Sequence, residues 1–319
     1  MRLTAIVPAT DRPASLAECV TAIRHARQSP DELIVVESPG RLGAAAARNA
    51  GAARAGGDVL VFVDADVVVH HDAFQRIREA FRARADLTAV FGSYDDAPRA
   101  GGTVSRFRNL LHHHVHHSCA GRVRSFWAGL GAVRREAFLG ADGFDERRFP
   151  GRPSIEDVDL GLRLAASGAL IELDPAIQGT HLKRWRLREM VAVDLLRRGT
   201  PWVATLLRTR AGYSELNLSW RHRLSAAAAA TAAGAAARRQ PRGAAGALAA
   251  LLALNASFYA VLLRRGGPSL AAGGVLLHLL HHLTSLAALP LGAIAYLREA
   301  RSDDPERLGS RPAAAIDGS

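Results

Sequence analysis

Gly57-Asp58-Val59-Leu60-Val61-Phe62-Val63-Asp64-Ala65-Asp66 is the stretch that decides the fold. An uninterrupted apolar run of strand length, rich in β-branched residues and bounded by glycine and acidic residues, predicts a strand buried on both faces. Upstream, Leu3-Thr4-Ala5-Ile6-Val7-Pro8 and Glu32-Leu33-Ile34-Val35-Val36 read the same way. Helical stretches fall between them, from about Ser15 to Arg27 and from Gly43 to Ala55. Buried strands alternating with helices predict an α/β domain with a largely parallel sheet covered on both faces. In such sheets ligands bind beyond the carboxyl ends of the strands, which directs attention to the residues just after each one.

The chain has 319 residues, 49% of them hydrophobic, enough for a sizeable core. Its 41 basic residues against 30 acidic ones give a formal charge of +11, with Lys183 the sole lysine. Such an excess suits an anionic partner, whether phosphate groups, acidic lipid or nucleic acid. Cys19 and Cys119 stand far apart with no metal-ligand spacing, which argues against a disulfide framework or a structural zinc site built on cysteine. The first residues do not read as a signal peptide. There is no GxxxxGK[ST] motif, so a P-loop nucleotidase is not supported. No GxGxxG follows the first strand, which argues against a dinucleotide oxidoreductase.

Composition changes after about Arg210. Gly243 to Leu263 and Leu270 to Leu297 carry no Asp, Glu, Lys or Arg, and each is long enough to cross a hydrocarbon core of roughly 30 Å. Two transmembrane helices are expected there. The alanine-rich run 224–237 reads as an interfacial or re-entrant helix, with a third span as the alternative. Between the sheet region and these helices, 186–223 reads as a basic amphipathic segment lying on the membrane surface. Positive charge here favours a cytoplasmic catalytic domain and contact with membrane lipids rather than nucleic acid. The expected order is then a catalytic domain over 1–185, the interfacial segment, a membrane region over 224–297 and a polar tail over 298–319.

Asp64-Ala65-Asp66 places two carboxylates at the ligand edge, a pair suited to a hard divalent cation that keeps positions open for phosphate oxygens. Such a pair on its own is equally compatible with a surface loop. The blocks around it are more specific. They are Pro8-Ala9-Thr10-Asp11, Glu37, Gly43 through Arg48-Asn49-Ala50-Gly51, Trp127-Ala128-Gly129, Arg134-Arg135-Glu136, Gly143-Phe144-Asp145, and Ile155-Glu156-Asp157-Val158-Asp159-Leu160. Together, over about residues 3 to 185, they resemble family 2 glycosyltransferases of the GT-A fold.

That resemblance implies an inverting transfer of sugar from a nucleotide-diphosphate donor, with Asp157 as general base and Mn²⁺ or Mg²⁺ as cofactor. It assigns Asp66 and Asp64 to the metal, with His181 as a candidate third ligand. Pro8, Thr10, Glu37, Arg48, Asp64 and Lys183 fall to the donor; Trp127, Gly129, Glu156 and Trp185 fall to the acceptor. Family members usually carry aspartate where this chain has Glu37. The glutamine that precedes the Arg-Trp pair in processive members is missing before Arg184-Trp185, so processivity is not inferred. A membrane-anchored enzyme suits a lipid-linked or membrane-bound acceptor. A nucleotidyltransferase-like enzyme and a degenerate nucleotide-sugar-binding scaffold are the alternatives.

Two histidine clusters remain. His112, His113, His114, His116 and His117 point several ways on one helix and read as an interfacial or acceptor-lining stretch. His278, His281 and His282 share a face of the second expected span, where interhelical hydrogen bonds are the first expectation and a lipid-phosphate contact the sharper one.

Overall fold

The computed structural model describes residues 1–302 except 41, 152, 210, 211, 213 and 214. The expected alternation is present as β1 (Leu3–Pro8), α1 (Leu16–His25), β2 (Glu32–Val36), α2 (Ala44–Arg54) and β3 (Val59–Val63). There follow β4 (Val67–Val69), α3 (Ala73–Ala83), β5 (Leu87–Tyr94), α4 (Thr103–His117), β6 (Gly121–Val123), β7 (Leu130–Arg134), α5 (Arg135–Gly140), α6 (Glu156–Ala166) and β8 (Leu170–His181). One sheet takes them in the order β2-β1-β3-β7-β5-β8-β4, with β6 on β8.

The sheet is mixed rather than largely parallel. β1 pairs in parallel with β2 and β3, as does β5 with β8. β7 runs antiparallel between β3 and β5, and β4 and β6 run antiparallel to β8. Reversal of β7 brings its first residue, Leu130, opposite Val63, so the chain entering β7 meets the chain leaving β3 at one edge. Along β3, Val59, Val61 and Val63 pack with Cys19, Ile23, Phe74 and Phe81 on one face. Leu60 and Phe62 pack with Phe126, Phe138, Phe144 and Leu160 on the other. This period-two split is the two-sided burial that the apolar run requires.

Beyond β8 the chain turns helical: α7 (Leu187–Ala192), a π-helical turn (Val193–Gly199), α8 (Thr200–Thr209), a 3₁₀ turn (Leu216–Leu218), α9 (Trp220–Ala237), α10 (Pro241–Leu254) and α11 (Ala256–Ser302). Within the basic segment Met190, Val193 and Ala204 are buried, whereas Leu187, Leu196 and Leu207 are exposed. Arg210 and residues 303–319 of the expected tail lie outside the described residues.

The first expected span, Gly243 to Leu263, is not one helix. It breaks at Asn255, whose side-chain amide donates to Ser225 Oγ (2.8 Å) and to the Leu251 carbonyl (2.9 Å). Ala256–Ala300 is the described helix whose length and hydropathy meet the requirement for crossing a membrane. It reverses at Gly267, where φ 69° and ψ −173° suit glycine. The Phe258 and His278 rings lie 5.2 Å apart, whereas twenty residues of straight helix span about 30 Å.

The returning limb, 268–302, does not stand free as the second expected span. It lies lengthwise on the sheet domain: Leu270 and Leu277 pack with Phe107 and Leu110 of α4. His281 meets Asp194 of the π turn at 3.0 Å, and Glu299 pairs with Arg208 of α8. A helix held by charged partners at its middle and far end cannot give that face to lipid. The multi-pass arrangement expected from two free spans is therefore corrected to one long apolar helical hairpin docked on the sheet domain.

Candidate active site

Asp64 and Asp66 follow β3 at the edge where β1 and β2 also end. Arg48, from α2, reaches across to this edge. Its Nη2 donates to Asp64 Oδ1 (2.7 Å) and its Nη1 to Glu156 Oε1 (2.8 Å). The Arg48 and Glu156 side chains are each only 4% exposed. The second Glu156 oxygen accepts the Ser154 N–H at 2.7 Å. Both Glu156 oxygens are thus engaged inside the protein, which corrects the expectation that Glu156 faces an acceptor. Burial opposes the Arg48 charge, but Asp64 and Glu156 outweigh it and hold the guanidinium protonated.

Asp157 sits at the start of α6, half-buried. Its Oδ2 accepts the Ala128 N–H (3.1 Å) and its Oδ1 the Val158 N–H (2.8 Å). Burial first and neighbouring Glu156 second push its carboxyl up to about 6, against the pull of Arg48. The segment 127–129 ties the two acids together, because the Gly129 carbonyl accepts the Asp64 N–H at 3.0 Å. A Cβ on Gly129 would stand 2.3 Å from the Trp127 ring, so only glycine lets that indole lie across the backbone here.

Asp66 forms a second grouping. His181 ends β8 opposite Val67 of β4, and its Nε2 lies 3.5 Å from Asp66 Oδ2. Burial alone would raise the Asp66 carboxyl, but the His181 bond and charge, with Lys183, hold it below the usual range. Asp64 is shifted the other way, because burial exceeds the opposing pull of Arg48. Both side chains keep about 30% of their surface exposed. The donor set of two carboxylates and one imidazole at an open edge fits a divalent cation, although among the described residues no three such groups already close on a point.

Trp185 is 9% exposed. Arg108 lies 5.4 Å and Lys183 Nζ 4.1 Å from its ring centre. Its indole is therefore a wall that places Lys183, rather than an open platform for an acceptor, which corrects that expectation. Lys183 also pairs with Glu189 at 3.1 Å. At the ends of β1 and β2, Pro8 closes β1, Thr10 Oγ1 donates to the Leu42 carbonyl (2.6 Å), and Glu37 is exposed.

One residue that sequence reasoning passed over is Tyr94. Its ring stacks on His181, with centres 4.2 Å apart and planes at 9°, and meets Trp127 edge-on at 4.9 Å. Burial, then Asp66 and Asp64, keeps its hydroxyl protonated. The first histidine cluster closes this aromatic wall. His112 and His116 pack on Trp127 at 4.6 and 5.4 Å, His113 Nδ1 lies 2.9 Å from the Tyr94 carbonyl, and burial keeps His112 neutral. Tyr94 lies at the end of β5, far from every motif in the chain, so only the β5–β8 pairing reveals it.

Residues 22–139 match the profile described as glycosyl transferase family 2. The chain carries a family 2 glycosyltransferase domain. No curated protein matches this sequence. Among solved structures, the mannosyltransferase PcManGT from Pyrobaculum calidifontis, in complex with GDP-Man and Mn²⁺, is 18% identical with a TM-score of 0.53. That match covers 93% of this chain and 87% of the other. GalNAc-T7 with UDP, GalNAc and Mn²⁺ is 14% identical over 65% of this chain and 48% of its own, at 0.47. S. aureus TarS 1–349 is 12% identical over 96% and 93%, at 0.43. The first likeness supports the fold, GT-A; the other two are too loose to bear on it. This family 2 domain is an enzyme of the glycosyltransferase class.

Proposed function

We propose that this glycosyltransferase moves a sugar, with inversion, from a nucleotide-diphosphate donor to a hydroxyl or phosphate of a lipid-linked or membrane-bound acceptor. The observation that carries the reading is Asp157, a half-buried carboxylate fixed by two backbone N–H groups. Its proton affinity is raised towards neutrality beside an edge that can receive a diphosphate. A base whose pKa lies near the working pH combines the charged form with useful proton affinity. Asp157 removes the proton from the acceptor hydroxyl as its oxygen attacks the anomeric carbon, and the bond from that carbon to the donor diphosphate breaks. For a phosphate acceptor already ionised, Asp157 orients it instead.

The leaving diphosphate meets Lys183, held out by Trp185 and Glu189. Asp66, His181 and Asp64 would hold a divalent cation, which when bound neutralises diphosphate charge. The Mn²⁺ of PcManGT supports that choice of ion. Arg48 and Glu156 act through Asp64 and Asp157 as positioning residues. Pro8, Thr10 and Glu37 border the nucleoside end, and Trp127 with Gly129 shapes the acceptor side. Exposed Leu263, Leu276, Leu289, Ile294 and Leu297 on α11, with Arg264 and Arg265 beside them, support contact with an anionic membrane surface.

The test is a panel of radiolabelled nucleotide sugars incubated with the full chain and membrane extract. Label should pass to the solvent-extractable lipid fraction with one donor, and Asp157→Asn should leave it on the nucleotide. Label found only in water-soluble product would overturn the lipid acceptor while keeping the transfer.

A further inference from the structure

Trp185, just past the end of β8, carries two cations on one indole. Arg108 of α4 lies 5.4 Å from the ring centre and Lys183 Nζ 4.1 Å. The backbone N–H of Trp185 donates to Ser105 Oγ at 2.9 Å, but its indole N–H is buried without a partner. No hydrogen bond among the described residues therefore turns the ring, whose orientation is left to packing and to the cations that lie on it.

Two like charges on one ring repel each other unless each is compensated. Lys183 has Glu189, but both of these side chains are more than a third exposed, and a pair so open to water holds its geometry weakly. Arg108 has Asp194 of the π turn, and these side chains are only 10% and 4% exposed. Arg108 Nη1 donates to Asp194 Oδ2 at 2.9 Å, and Nη2 lies 2.6 Å from Oδ1, an ion contact without the angle of a hydrogen bond. Burial opposes both charges, yet Arg108 and then His281 hold the Asp194 carboxyl well below the usual range.

Asp194 is itself held from the C-terminal hairpin. His281 Nδ1 lies 3.0 Å from its Oδ2. At the far end of the same turn, a Cβ on Gly199 would stand 2.6 Å from Ala288 of α11, so the turn and the helix are in close contact. At the other end of the chain of contacts, the Lys183 charge is felt by Asp66 at the ligand edge.

Building on the reading that Lys183 meets the leaving diphosphate, we propose that Asp194 and Arg108 are positioning residues of the transfer. Their ion pair seats the Trp185 indole, and the indole holds Lys183 towards the diphosphate edge. The C–O bond to the donor diphosphate breaks with its electron pair passing to the phosphate oxygen, and Lys183 opposes the charge that collects there. Without Asp194, Arg108 would stand uncompensated on the ring that Lys183 shares and would drive the ammonium away from it. The C-terminal hairpin thereby sets the strength of a contact made at the sheet edge.

The experiment is a double-mutant cycle on the full chain, reading the affinity for GDP and for UDP, each with Mn²⁺, by calorimetry. Lys183→Met should weaken binding about tenfold or more and Asp194→Asn at least about threefold. In the double variant Asp194→Asn should add less than about twofold, because residues that act through one another are not additive. Additive losses, or wild-type affinity in Asp194→Asn, would overturn the positioning role alone. Unchanged affinity in Lys183→Met, or a wild-type chain that binds neither nucleotide, would overturn the donor reading beneath it as well. Should Asp194→Asn not fold, the pair Arg108→Met, Asp194→Leu replaces the ion pair with apolar side chains and takes its place in the cycle with the same expected outcome.

Discussion

Two buried polar pockets in this chain are built on opposite terms. Around Arg48, the oxygens of Glu156 and Asp157 and both terminal nitrogens of the guanidinium are engaged, and only Arg48 Nε lacks a partner. Around His282, three ring nitrogens have none. A satisfied network is rigid and keeps its charges in place for something that arrives at its rim. An unsatisfied one costs stability. The first pocket is thus held rigid, whereas the second carries an unmet polar cost.

Metal removal gives the largest test of that contrast. EDTA should abolish transfer and added Mn²⁺ or Mg²⁺ should restore it; full activity after exhaustive chelation would leave Lys183 and its neighbours to stabilise the diphosphate by themselves. Next in size, Asp157→Asn keeps the shape of the side chain and removes its basicity. Turnover should fall about 10²- to 10⁴-fold while donor affinity, measured by calorimetry, stays within a few fold. Near wild-type turnover would remove Asp157 from its role.

Glu156→Gln probes the satisfied pocket directly, because it leaves Arg48 with one charged partner instead of two. Breaking a buried pair costs about 3–5 kcal/mol, which urea denaturation can read; a loss under about 1 kcal/mol would show that water already reaches the pair. The pH profile follows from the same geometry. In its proposed role as base Asp157 works as a carboxylate, and burial with Glu156 raises its pKa to about 6. Activity should be full above that value and fall about tenfold per pH unit below it. Because Glu156 contributes to the rise, Glu156→Gln should move the acid limb to lower pH.

The smallest effect belongs to the second pocket. His282→Leu removes two unpartnered nitrogens and keeps most of the packing. Stability should change by less than about 1.5 kcal/mol or rise. A loss of several kcal/mol would mean that His282 already makes bonds in solution and that its pocket is as satisfied as the first.

Much of this was legible in the chain itself. β1, β2 and β3 were readable because burial on both faces leaves an uninterrupted apolar run, and their ends located Asp64 and Asp66 without any coordinates. Asp157 and His181 are readable as candidates through local motifs that resemble the family's. Tertiary structure decided the rest, because direction and contact are not properties of a segment. β7 reads as a strand whichever way it runs, and only its reversal joins Gly129 to Asp64. Glu156 looks like an exposed acid until α2 delivers Arg48 beneath it. Apolar composition over 270–297 satisfies a membrane span and a docked helix equally, since both require an uncharged surface. Charged partners on α8 and the π turn, distant in sequence, determined that this limb lies against the catalytic domain, and the reversal at Gly267 brought Tyr259 and His278 together.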